Sequence, residues 1–200
     1  SIPDLQTLHQ MALDMLRARP DWGLAYRAAF GYDGHKALAR LQSPAVLIAK
    51  EADPLHAHLE RLGGHGPTLE VRSVQNEDHH ARLMAAFDHR DCGLPSAPSS
   101  PAAEHRGTVS TRRYVQTSHG QVHVRLDGRP TAPPLLFLHG SPGSADSFDE
   151  LIRELSQDHL VISPDTLGNG YSDAPSAQDP DIGHFADAVA QTLHALGYGD

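Results

Sequence analysis

Residues 134–148 read Pro134-Leu-Leu-Phe-Leu-His-Gly-Ser-Pro-Gly-Ser-Ala-Asp-Ser-Phe148. Pro134 to Leu138 is an apolar run too short for a helix, and it breaks at His139-Gly140-Ser141-Pro142-Gly143, where glycine and proline oppose regular structure. The spacing predicts a buried strand opening into a tight loop. Beyond it, Asp146 or Ser147 is placed to cap a helix with Phe148, Leu151, Ile152 and Leu155 on one face, and with Asp149 and Glu150 in its first turn. A second apolar strand, 159–163, runs into Pro164-Asp165-Thr166-Leu167-Gly168-Asn169-Gly170-Tyr171-Ser172-Asp173. Working outward, residues 114–117 and 121–126 bracket Ser118-His119-Gly120 as a hairpin with Val122, Val124 and Leu126 on one face. On the other side, Ile182, Phe185, Val189, Leu193 and Leu196 mark a helix after Asp181. Asp165 and Asp173 are expected to hold their loop through side-chain to backbone bonds.

At 138–143 and 164–173 the chain resembles the α/β-hydrolase superfamily, in the branch of esterases, haloalkane dehalogenases and epoxide hydrolases. The resemblance implies an α/β fold with a partial hydrolase sheet. Leu-His-Gly-Ser-Pro-Gly matches that family's oxyanion loop, which makes His139, Gly140 and Ser141 the candidate oxyanion-hole residues, with the Ser141 N–H as donor. A cis bond before Pro142 is expected there. The hairpin resembles the first two strands of the hydrolase sheet, and 134–163 its third strand, first helix and fourth strand.

The chain has 200 residues, and a complete hydrolase of this type usually needs more. Its net charge of −9 and pI near 5.9 argue against nucleic acid or an anionic membrane as partner. No apolar run approaches the roughly 18 residues of a membrane span. Cys92 is the one cysteine, so no internal disulfide forms, and a soluble cytoplasmic protein is expected.

In the first half, apolar residues from Leu5 to Leu16 repeat at helical spacing until Pro20, and no initiator Met precedes them, as in the interior of a longer gene product. A strand at 45–51 ends near Asp53-Pro54, where a helix carrying Leu55, Leu59 and Leu62 is expected. Asp53 has two open readings: a helix N-cap, or the acid that in the resembled family follows the seventh strand and orients the catalytic histidine. Leu69 to Gln75 alternates as an edge strand. Beyond it, His79 or His80 occupies the place of the family's general base, with His80 preferred because it lies further into the turn. Pro95, Pro98 and Pro101 mark a linker over 91–107. The division is therefore 1–90, resembling the C-terminal part of a hydrolase from late cap helices through strands 7 and 8, and 108–200, resembling the N-terminal part of another.

Hydrolysis on this scaffold needs a Ser, Asp or Cys on a strained strand-to-helix turn of Gly-x-Ser-x-Gly type, and no such turn occurs here. The inverted order reads as a window from a tandem fusion, with a permutant lacking its central strands as the alternative. If the halves pack, the strand at 45–51 is expected beside 135–138. Together these features predict a hydrolase of esters or related small-molecule bonds, needing no cofactor and inactive as the isolated chain. The competing reading is a non-catalytic split hydrolase serving as a scaffold. Metal binding through His56, His58, His79, His80 and His89 lacks organised ligand spacing.

Overall fold

The computed structural model describes residues 5–18, 20–62, 69–75 and 109–199. The chain forms two compact units, one of residues 1–32 and 96–200, the other of residues 33–95.

The smaller unit opens with helix α3 (Gly34–Ala39), capped by Asp33, whose carboxylate accepts the Lys36 N–H at 3.2 Å. Strands β1 (Ala45–Lys50) and β2 (Leu69–Val74) pair in parallel, Ala45 opposite Leu69 through Lys50 opposite Val74. They form a two-stranded sheet of their own. The 18 residues between β1 and β2 suffice for a parallel crossover, and β2 pairs with one edge of β1. The segment after Asp53 is a 3-10 helix (His56–Leu62) rather than an α-helix. Leu55 is exposed and Leu59 and Leu62 are only half-buried, so little packing sustains a longer helix.

In the larger unit, β3 (Val109–Thr117) and β4 (Gly120–Gly128) form the antiparallel hairpin, longer than the alternation alone implied. Strand β5 (Pro134–Leu136) runs parallel to β6 (Leu160–Pro164), and the order is β3-β4-β6-β5. All five residues of β6 are buried, as an apolar central strand covered on both faces should be. Between β5 and β6 lie a 3-10 turn (Ala145–Phe148) and helix α4 (Asp149–Leu155), which buries Ile152 and Leu155. Helix α5 (Ile182–Ala195) starts at Asp181, whose carboxylate accepts the His184 N–H at 3.1 Å. One core cluster joins Val124, Leu160 and Ile162 to Leu193, Leu196 and Tyr198. Another joins Val122, Leu167, Phe185 and Ala188 to Ala28 of helix α2 (Trp22–Phe30). Burying Ile162 or Val161 contributes roughly 1.5–3 kcal/mol each.

Helices α1 (Leu5–Arg17) and α2 thus share a unit with the second half of the chain. The orientation of α1 differs from its pattern. Leu5, Leu8, Met11, Met15 and Leu16 are exposed, while Asp14 is buried. The side that docks carries Asp14, whose Oδ1 accepts from the Ser144 hydroxyl at 2.9 Å and, within the helix, from the Gln10 amide at 3.1 Å.

Candidate functional site

The loop after β5 is built around His139. Its Nε2 accepts the Thr166 N–H at 3.0 Å, so in the neutral ring the proton sits on Nδ1, which donates to the Gly140 carbonyl at 2.6 Å. With both nitrogens engaged and the side chain buried, His139 holds the loop and has no lone pair left for proton transfer. The Ser141–Pro142 peptide is cis, as expected. A Cβ on Gly143 would stand 2.6 Å from the Gly140 carbonyl oxygen and 3.0 Å from His139 Nδ1, so only glycine fits there. A Cβ on Gly140 would meet nothing within 4 Å, which leaves that side of the loop open. Among the described residues the Ser141 N–H has no acceptor. The Ser141 hydroxyl lies 3.3 Å from the Trp22 carbonyl and 3.2 Å from Asn169 Oδ1.

Asp165 ties this loop to the sheet. Its carboxylate is 1 % exposed and accepts three hydrogen bonds: from the Ala145 N–H at 2.6 Å, the Tyr171 N–H at 2.9 Å and His123 Nδ1 at 2.8 Å. Burial alone would raise the carboxyl pKa. The bonds from His123, Tyr171 and Ala145 outweigh burial and hold it below the usual carboxylate range. The loop is consequently gripped at both ends by consecutive residues, His139 through the Thr166 N–H and Ala145 through Asp165. Asp173 accepts the Gln121 N–H at 3.0 Å, so both aspartates bond to backbone as expected.

The exit of the loop is also charged. Asp146 receives Arg112 at 2.7 Å, Arg125 at 3.2 Å and Arg17 at 3.8 Å, and Arg125 reaches on to Asp127 and Asp149. Arg112 Nη1 lies 3.5 Å from His123 Nε2, which links this network to Asp165. Replacing His139 by alanine is expected to cost about 1–3 kcal/mol, because the Thr166 N–H loses its acceptor. Urea unfolding measures the loss, and a cost under about 0.5 kcal/mol would contradict the anchoring role given to His139.

The other sequence candidates lie in the smaller unit. Asp53 Oδ1 accepts the Leu55 N–H at 2.8 Å, the bond of a capped turn. His79 and His80 lie outside the described residues, as does His89. Sequence reading passed over one serine–histidine contact, His56 Nε2 to Ser73 Oγ at 2.9 Å, on the exposed side of β2. It passed over the His123–Asp165 pair as well. The only available signal was a histidine among apolar residues in a strand, and its partner lies 42 positions away. Among the described residues no group of three or more His, Cys, Asp or Glu is placed to hold a metal ion. No described helix is long and apolar enough to cross a membrane.

Residues 133–200 match the family model described as alpha/beta hydrolase fold. They belong to the α/β-hydrolase superfamily. Lipase 1 of Psychrobacter immobilis is 37 % identical over 124 residues, covering 57 % of this chain and 38 % of the lipase. Haloalkane dehalogenase 2 of Mycobacterium tuberculosis is 31 % identical over 85 residues, covering 42 % of this chain and 29 % of the dehalogenase. The N-acyl homoserine lactonase AidH, seen in complex with N-hexanoyl homoserine, overlaps with a TM-score of 0.43 at 29 % identity, over 46 % of this chain and 34 % of that one. The chain spans between 29 % and 38 % of the length of these two curated relatives, and it carries a partial α/β-hydrolase fold.

Proposed function

We propose that residues 108–200 supply the anion-stabilising part of an α/β-hydrolase acting on an ester or related small-molecule bond, and that these 200 residues do not contain its nucleophile. The supporting observation is the loop at 139–144, fixed at both ends, with the Ser141 N–H free of acceptors among the described residues and open space beside Gly140. His139 and Gly140 shape the loop and Ser141 donates to the developing negative charge. Such a donor contributes roughly 3–4 kcal/mol to a transition state. In the separate hydrolase whose C-terminal part residues 1–90 resemble, His80, or His79, acts as general base and Asp53 orients it. Attack on the substrate then requires a Ser, Asp or Cys from outside these residues.

The isolated chain is therefore expected to show no burst of nitrophenolate from p-nitrophenyl acetate and no saturable turnover. A burst stoichiometric with protein would overturn the proposal. Its loss in Ser73→Ala would assign the nucleophile to the Ser73–His56 pair.

A further inference from the structure

We infer that Ser144 is the donor of a carboxylate site at the end of the loop, that Asp14 of α1 occupies it in cis, and that a free carboxylate or substrate oxyanion competes with α1 for it. This rests on the reading of 139–144 as an anion-stabilising loop.

Asp14 is the one carboxylate of α1, and it is 5 % exposed, whereas Leu5 and Leu16 of the same helix are more than 80 % exposed. Among the described residues its side-chain partners are neutral: the Ser144 hydroxyl at 2.9 Å and the Gln10 amide at 3.1 Å. Arg17, one turn further on, goes instead to Asp146 at 3.8 Å and lies 5.3 Å from the centre of the Tyr171 ring. A buried carboxylate facing neutral donors recovers only part of its lost hydration. Nor does docking bury the apolar stripe of α1, so the hydrophobic effect adds little to hold it down.

Ser144 is the matching half. Its N–H donates to Ser147 Oγ at 3.2 Å and the following N–H, of Ala145, to Asp165, so the hydroxyl is the group left to meet an incoming anion. Helix α2 is anchored differently, with Ala28 in the core and Arg27 paired to Asp179 at 2.7 Å. Pro20 separates the two helices, so α1 can leave Ser144 while α2 stays. An anionic oxygen placed on Ser144 would then displace the helix by mass action.

Acetate titration of the full 200-residue chain, followed by amide NMR and hydrogen exchange against sodium chloride at matched ionic strength, tests this. The Ser144 and Ala145 amides are expected to shift with acetate but not with chloride, and α1 amides to exchange faster as acetate saturates. Asp14→Ala, which removes the internal competitor, is expected to bind acetate on the order of tenfold more tightly. Equal affinity in both proteins, or α1 exchange unmoved at saturating acetate, would overturn the inference while leaving the loop reading intact. If no amide from 139 to 145 responds in either protein, the reading of the loop falls with it.

Discussion

Asp165→Ala should destabilise the larger unit by about 3–5 kcal/mol in urea unfolding, the largest single-residue effect expected near the site. The substitution leaves His123 Nδ1 and the Ala145 N–H, both buried, and the part-buried Tyr171 N–H without their acceptor. A loss below about 1 kcal/mol would mean these donors find other partners, and Asp165 would not be the anchor of the loop. The same carboxylate sets an acid limit. Its pKa is held below the usual range by bonds that outweigh burial, so its stabilisation is full at neutral pH and is lost as pH falls through the folded value. Asp165→Asn cannot titrate. Its stability should therefore fall less steeply than the wild type on the acid side, and parallel acid limbs would refute this assignment.

Gly128→Ala should cost about 3 kcal/mol or more by the same measurement. Gly128 ends β4 at φ +109°, a conformation that side chains disfavour, and a Cβ there would lie 2.0 Å from the His159 carbonyl oxygen and 3.0 Å from that of Ser156. Both obstacles are backbone, and His159 leads directly into β6, so relief requires moving the strand at the centre of the sheet. A change under about 1 kcal/mol would show that the β4 terminus gives way without disturbing β6.

Much of this unit was legible in the sequence. Alternation at 121–126, the apolar runs at 134–138 and 159–163, and the Asp181 cap each identify an element through neighbours a few positions apart. The bond from the Tyr171 N–H to Asp165, six positions apart, is of the same short range, whereas Asp173 finds the Gln121 N–H 52 positions away. Where reading failed, the deciding partner was distant. The pattern of α1 marks a stripe but not which side will dock, and here the side carrying Asp14, bonded to the Ser144 hydroxyl, is the buried one while the stripe faces outward. Strand β1 carries no mark of its partner, which is β2. His123 is an ordinary strand residue until the turn at 165 folds over it.

Local chemistry in the chain determined its strands, its tight loop after β5 and the superfamily to which residues 133–200 belong, because glycine, proline and apolar spacing act within a few residues. Only tertiary structure decided that Asp165 and Thr166 would grip both ends of that loop, that three arginines would converge on Asp146, and that Asp14 would be buried against Ser144. Those contacts join residues 20 to 130 positions apart, and hydrogen bonding and charge select such partners only after the core has brought them within about 3–4 Å.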